Sequence, residues 1–251
     1  MSRITRTVAL GLLAAGAIAT GTTVTPAQVP EEFTNLRVLP ADISKRELMG
    51  IMRAYSGALD VRCNHCHVGP ADLQGMDFTT DEKATKKTAR LMMKMVKAIN
   101  GTHLAAIDTG RSGKVDVRCQ TCHHGLAVPA PIEEVLAHSI DADGVDAAIT
   151  EYRQLRQEHY GGASYDFSQN PVNALAETLV REEKLDEALA LMTMNIEFNP
   201  DEAWTRMLMA GVHKARGDKK KAIASYQAAL RIEPDNGWAQ RQIDALKAEG
   251  K

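Results

Sequence analysis

Strong net charge and long apolar runs are both missing from this sequence. Its 30 Lys and Arg against 32 Asp and Glu leave a net charge of −2, so no nucleic-acid partner is implied. The main apolar run, residues 8–19, falls short of the ~20 residues that a membrane-spanning helix needs. Aromatic residues make up only 4% of the chain, whereas methionine, a flexible filler of apolar gaps, occurs eleven times.

Cysteine is also rare, and its four occurrences lie in two copies of one pattern. Residues 60–67 and 116–123 both have the sequence Asp-Val-Arg-Cys-x-x-Cys-His. Cys-x-x-Cys-His is the covalent attachment site of a c-type haem, in which each thiol forms a thioether and the histidine binds the iron. No cysteine is left for a disulfide. The pattern therefore predicts two covalently bound haems, held by Cys63, Cys66, Cys119 and Cys122, with His67 and His123 as proximal iron ligands.

Two other kinds of cysteine site are less compatible with this spacing. A four-thiolate zinc site usually has about 15–20 residues between its two cysteine pairs. Here Cys66 and Cys119 are much further apart, and a histidine follows each pair at once. A thioredoxin-like redox site would have one such pair within a βαβ pattern, and no βαβ pattern is visible in the sequence.

The N-terminus predicts export. Arg3 and Arg6 precede the apolar run at 8–19, and a small and polar stretch follows to about residue 27, which is the pattern of a secretory signal peptide. Haem attachment to Cys-x-x-Cys-His takes place outside the bacterial cytoplasmic membrane, so the two features agree. We expect a periplasmic protein with a signal peptide at 1–27; a retained signal that anchors the chain to the membrane is the alternative.

Residues 28–130 form a predicted dihaem domain, in which a helix, a loop and a haem motif occur twice. Ser44 and Glu47 have the spacing of a capping box at the start of the first helix. For the second helix, residues 79–82 are a similar candidate cap and Asn100-Gly101 a candidate stop. Apolar residues recur at helical spacing in both helices. In the first they are Leu48, Ile51, Met52, Tyr55 and Leu59, and in the second Leu91, Met92, Met95, Val96 and Ile99.

Each haem also needs a sixth ligand, and methionine raises the potential of a haem whose other axial ligand is histidine. Met52 is the candidate for the first haem, with Met49 on nearly the same helix face as the reserve. For the second haem Met92 and Met95 share the apolar face, whereas Met93 is turned away from it. The alternative is that these methionines are core residues. Histidines that could instead give bis-histidine ligation are His65, His103, His124, His138 and His159.

Basic residues on the second helix predict a stripe opposite its apolar face. A solvated helix face is the simplest interpretation, and contacts with haem propionates or an acidic redox partner are the alternative. Arg62 and Arg118 precede the two motifs at equivalent positions and are further candidates for propionate contacts. The stripe consists of Lys83, Lys86, Lys87, Arg90, Lys94 and Lys97.

Under half of the chain resembles the cytochrome c subunit of photosynthetic reaction centres. The resemblance implies a periplasmic subunit that re-reduces the photo-oxidised primary donor, and it assigns axial methionines to Met52 and Met92 by motif position. Family members usually carry four haems, whereas this chain has two motifs. The matching segments are Phe33-x-Asn35-Leu36-x-Val38-Leu39-Pro40, Leu48-Met49-x-x-Met52, residues 58–63, Ala89-Arg90-x-Met92-x-x-Met95-x-x-x-Ile99-Asn100 and Cys119-x-Thr121-Cys122-His123-x-Gly125.

The C-terminal part has a 34-residue repeat, which is the tetratricopeptide period of two helices per repeat. We expect a helical linker at 131–169 and tetratricopeptide-like repeats at 170–251. Stacked repeats usually bind protein segments, so docking is one interpretation, and a structural cap on the haem domain is the other. Residues 34 positions apart include Ala176 with Ala210, Ala188 with Ala222, Pro200 with Pro234, and Trp204 with Trp238.

Together these features predict a mainly α-helical, exported dihaem cytochrome that transfers single electrons between protein partners. No substrate chemistry is expected of it. A redox enzyme with an open haem iron, and an interaction module whose haems sense redox state, are the two alternatives.

Overall fold

The computed structural model describes residues 30, 32–70, 75–107 and 115–248; the predicted signal segment lies outside these ranges. Within them the regular structure is helical, apart from one antiparallel bridge between Val68 and Asp77, so the predicted all-α class is confirmed. The α-helices are α1 (Lys45–Leu59), α2 (Ala84–Ala98), α3 (Cys119–His123), α4 (Ile132–Asp143), α5 (Val145–His159), α6 (Gln169–Arg181), α7 (Leu185–Phe198), α8 (Ala203–Ala215), α9 (Lys219–Ile232) and α10 (Gly237–Ala248).

Helix α1 begins with the predicted capping box. The Glu47 backbone N–H donates to Ser44 Oγ at 3.3 Å, and the Glu47 carboxylate accepts from the Ser44 backbone N–H at 3.2 Å. These two bonds satisfy N–H groups that have no partner within the helix. The helix ends at Asp60, whose left-handed backbone (φ 50°) turns the chain towards the first haem motif.

Helix α2 differs from its prediction at both ends. It begins at Ala84 after Lys83, and no side chain caps it. The preceding turn is held instead by Asp77, whose carboxylate accepts from the backbone N–H groups of Thr79 at 2.7 Å and Thr80 at 3.1 Å. At the other end Asn100-Gly101 does not stop the helix, because a π-helical turn over Ile99–His103 continues it.

The C-terminal helices repeat with the predicted period. The first residues of α6, α8 and α10 are Gln169, Ala203 and Gly237, which are 34 positions apart, and α7 and α9 are offset by the same interval. The alanines predicted at the helix crossings are fully buried, which lets neighbouring helices approach closely. They are Ala176, Ala188, Ala210 and Ala222.

The predicted linker region contributes to the same core. Helices α4 and α5 bury Leu136 and Tyr152 together with Val172 of α6 and Leu191 of α7, so residues 132–198 share one apolar cluster. A second cluster joins α8, α9 and α10 around Tyr226. Helices α4 to α10 are thus one stack, in which each helix is covered by its neighbours.

A buried polar group crosses the stack between α6, α7 and α8. Asn195 Nδ2 donates to Asn173 Oδ1 at 2.8 Å and to the Gln169 carbonyl at 2.9 Å. The Thr205 hydroxyl lies 3.0 Å from Asn173 Oδ1. Asn195 and Thr205 are 0% exposed, so these hydrogen bonds replace water that the side chains lost on folding.

Thr205→Val should therefore destabilise the protein. Valine keeps the shape of threonine but removes the hydroxyl donor to Asn173, and we expect the free energy of unfolding to fall by about 1–2 kcal/mol. Thr193→Val is the matched control, because Thr193 is an exposed helical threonine of α7. Denaturant titration of both variants measures the difference, and equal losses would contradict the role given to the buried hydroxyl.

Candidate functional site

A cavity of about 500 Å³ lies between α1, α2 and the two haem motifs. This volume falls in the range of roughly 300–1,000 Å³ that small-molecule sites occupy. Its wall is mainly apolar and includes residues from both motifs, although they are more than fifty positions apart in sequence. Of the cysteines and proposed ligand histidines of the two motifs, Cys63, Cys66, His67, Cys119 and His123 line the wall, whereas Cys122 is exposed and lies outside it.

Each motif forms a single helical turn. In the first, the His67 backbone N–H donates to the Cys63 carbonyl at 2.9 Å, and the Cys66 N–H donates to the same carbonyl at 3.2 Å. In the second, Cys119 and Cys122 lie within α3. Residues three apart on a helical turn share one face, so the two thiols of each pair can reach the same bound group.

The His67 ring is enclosed. Its edge contact with Phe78 has a centroid separation of 5.0 Å, and its Nδ1 is buried with no hydrogen-bond partner among the described residues. Burial, aided by the positive charges of Lys86 and Arg90, lowers the pKa of His67 to about 4. The imidazole is therefore neutral at neutral pH, which is the form that binds a metal.

The His123 ring is oriented differently, by a hydrogen bond. Its Nδ1 lies 2.8 Å from the Leu126 carbonyl oxygen. A carbonyl can only accept, so Nδ1 carries the proton and Nε2 keeps its lone pair. A hydrogen bond of this kind, from the ring nitrogen that does not bind the metal, fixes the tautomer and ring orientation of a metal-binding histidine.

Three tethers hold the second motif in place. Asn100 of the π-helical turn binds both backbone groups of Val117, at 2.7 and 2.8 Å. The Gly125 N–H donates to the Ala58 carbonyl of α1 at 2.9 Å. Ser164, in the loop after α5, donates its hydroxyl to the His124 carbonyl at 2.7 Å. The second motif is therefore bound to the first helix and to the helical stack.

The thiols of Cys66 and Cys119 differ from those of redox-active cysteine pairs. Burial raises the pKa of the Cys66 and Cys119 thiols, whereas redox-active cysteines usually have a lowered pKa. Within the described ranges, no three His, Cys, Asp or Glu side chains are grouped to hold a metal ion.

The candidate axial methionines differ in position. Met49 and Met52 of α1 both line the cavity, as do Met92 and Met93 of α2, but Met95 does not. The apolar face predicted for α2 is exposed at Leu91, Met92 and Met95, by 63%, 37% and 46%. Met92 lines the cavity and Met95 does not, and Met93, predicted to be turned away from the apolar face, lines it as well. Which methionine binds the second haem stays a prediction.

The remaining histidines and the two equivalent arginines are placed as follows. His65 lines the cavity, so it is the one of the five alternative histidines that shares a wall with the motifs. Arg62 also lines the cavity, whereas Arg118 does not, and both arginines are exposed. The other alternative histidines, which lie away from the cavity wall, are His103, His124, His138 and His159.

The predicted basic stripe on α2 is only partly solvated. Lys87, Lys94 and Lys97 are exposed, but Lys86 is buried at 8% exposure and lines the cavity. Arg90, also turned inwards, binds Asp81 at 2.7 Å. The interpretation as a solvated face is wrong for these two residues, because each finds acceptors within the fold. The alternative, contact with haem propionates or an acidic partner, stays a prediction.

The inward cations are held by a network that sequence reasoning missed. Asp81 accepts from Arg90 and from Asn35 Nδ2, the latter at 2.8 Å, and Lys86 lies 3.4 Å from the same carboxylate. These contacts, led by the Arg90 hydrogen bond, hold the pKa of Asp81 well below its usual range. Arg90 also donates to the Asn35 carbonyl at 3.0 Å, which fastens the N-terminal segment to α2.

No helix in the described part of the chain is both long and apolar enough to cross a membrane.

Comparison with known proteins gives one family. The family described as photosynthetic reaction centre cytochrome C subunit matches residues 15–217. A photosynthetic reaction center cytochrome c subunit from Rubrivivax gelatinosus (strain NBRC 100245 / IL144) is 28% identical over an alignment of 118 residues. The match covers 39% of this chain and 31% of that protein. The chain thus spans about a third of the length of this curated relative.

Among solved structures, a crystal structure of MamA is 17% identical, with a TM-score of 0.34, and the match covers 47% of this chain and 67% of that one. The structure of a MamA point mutant is 21% identical, with a TM-score of 0.35 and coverage of 47% and 82%.

Proposed function

This chain belongs to the photosynthetic reaction centre cytochrome c subunit family, and from that premise we propose that it is a dihaem c-type cytochrome that carries single electrons. One observation carries the proposal: residues of both Cys-x-x-Cys-His motifs line one mainly apolar cavity together with methionines of α1 and α2. Apolar enclosure with thiol, imidazole and thioether groups suits a covalently bound haem.

The proposed roles follow from the positions of the side chains. Cys63 and Cys66 would hold the haem of the first site, with His67 and Met52 as its iron ligands. Cys119 and Cys122 would hold the haem of the second site, with His123 and Met92 as its iron ligands. When bound, each haem supplies a reversible Fe(III)/Fe(II) couple. The protein contributes enclosure by the cavity wall and orients His123 through the Leu126 carbonyl.

Export and partner binding are parts of the same proposal. We place the protein in the periplasm, with a retained signal segment as the alternative, and propose redox proteins as its partners, a membrane reaction centre among them. The proposed domains are 28–130 for the haems and 170–251 for repeats that dock protein segments. Trp204 and Trp238 support the docking role, because both are almost half exposed at equivalent positions of two repeats.

A redox titration of the mature holoprotein, followed by absorbance and repeated under carbon monoxide, tests the proposal. We expect two low-spin haems of positive potential that do not bind carbon monoxide, since methionine ligation closes the iron and raises its potential. A high-spin haem that binds carbon monoxide would overturn the carrier function and favour a redox enzyme. If the protein carries no covalent haem after expression in a haem-attaching host, the cofactor assignment itself is refuted.

A further inference from the structure

Lys86 is a buried cation in the cavity wall, and the groups around it define its charge. Lys86 Nζ donates to the Phe78 carbonyl at 2.8 Å and the Thr80 carbonyl at 2.7 Å, and it lies 3.4 Å from the Asp81 carboxylate. All three neighbours are acceptors. A protonated amine has three N–H donors to match them, whereas a neutral amine would turn its lone pair towards an acceptor.

This charge acts on the first haem site. Lys86 and Arg90 line the same cavity as His67, the proposed proximal ligand. The ring of Phe78, whose carbonyl accepts from Lys86, packs against the His67 ring at a centroid separation of 5.0 Å. Both side chains are largely buried, with exposures of 10% for Lys86 and 16% for Arg90. Charges in such positions are screened far less than charges at the surface.

Apart from Lys86 and Arg90, the described Lys and Arg residues of the cavity wall are Arg37 and Arg62, and both are exposed. At the second motif, Arg118 is exposed to water and lies outside the cavity wall, so its charge is screened. The two motifs are alike in sequence, but their electrostatic surroundings differ.

We propose that the Lys86 ammonium, supported by Arg90 and Asp81, raises the reduction potential of the first haem above that of the second. The inference rests on the dihaem function proposed above. A nearby positive charge destabilises the ferric iron more than the ferrous iron, because the ferric form carries one more positive charge. In the protein reduced by one electron, the first haem is therefore the ferrous one.

Single-haem variants give a clear test. Cys119→Ser/Cys122→Ser keeps only the first haem, and Cys63→Ser/Cys66→Ser keeps only the second. In the first background we expect Lys86→Gln to shift the iron equilibrium about tenfold towards the ferric form, which is about 59 mV for one electron. Lys86→Arg should restore most of the potential. Lys87→Gln is the matched control, since Lys87 is the next residue and is exposed.

Several outcomes would overturn the inference. One is that Lys86→Gln leaves the reduction potential of the first haem unchanged. Another is that Lys86→Gln shifts the potentials of both single-haem variants equally, or that Lys87→Gln shifts the first-haem potential as much as Lys86→Gln does. If Lys86→Gln does not fold, Arg90→Gln replaces it, and the same lowering of the first potential is expected. If both haems titrate reversibly and their reduction potentials do not respond to these substitutions, this inference alone is refuted. A chain without covalent haem would refute the proposed function.

Discussion

Cys63→Ser/Cys66→Ser yields a mature protein with one covalent haem in place of two. Serine cannot form the thioether, so the first haem is not retained. The second motif keeps its own tethers to Asn100 and Ala58, and we expect it to be matured normally. The haem content per chain, measured by absorbance of the denatured protein and by intact mass, should fall by half.

The reciprocal variant is the matched control. Cys119→Ser/Cys122→Ser should also halve the haem content, and the spectra of the two variants should sum to that of the unchanged protein. The result also discriminates against a shared metal cluster. If all four thiols bound one ion, either double substitution would remove the whole metal content rather than half of it.

Met52→Ala opens the first haem iron. Loss of the thioether ligand should convert that haem to a high-spin form that binds carbon monoxide, while the second haem remains low-spin. The reduction potential of the first haem should fall by on the order of 0.1 V, which lies within the roughly 0.8 V range that axial ligands span. Absorbance under carbon monoxide and a redox titration in the Cys119→Ser/Cys122→Ser background measure both effects.

Met49→Ala is the control for this substitution. Met49 lines the same cavity from the same helix, three residues earlier, and its removal should leave the spectrum low-spin. A carbon monoxide complex in Met49→Ala but not in Met52→Ala would transfer the ligand role to Met49. Low-spin spectra in Met52→Ala, Met49→Ala and the double variant would exclude both methionines, and His65 would become the next candidate.

Local signals in the sequence were good guides where the relevant contacts are also local. Ser44 and Glu47 are three residues apart, and their reciprocal hydrogen bonds form as expected. The 34-residue spacing located the helix pairs correctly, because each pair repeats the same burial pattern. At α2 the local signals failed: Asp77, not a cap at 79–82, organises the approach to the helix.

Asn100 and Lys86 show why the rest could not be predicted. Asn100 before a glycine indicates a helix stop, but its side chain instead binds Val117, seventeen residues further along the chain. In the sequence Lys86 resembles several solvated lysines of the same helix. It donates to the backbone carbonyls of Phe78 and Thr80, and backbone groups carry no sequence signature. In both cases the deciding partner is a backbone group brought close by the fold.

The sequence by itself determined the chemistry predicted for this chain and its helical character. Thiol spacing, the adjacent histidine and the helix periods all depend on residues within one or two turns of each other. Only the tertiary structure decided that both motifs meet at one cavity, that Met92 rather than Met95 lines it, and that Lys86 is buried beside the first site. Those outcomes depend on which distant segments pack together, and packing is a property of the whole fold.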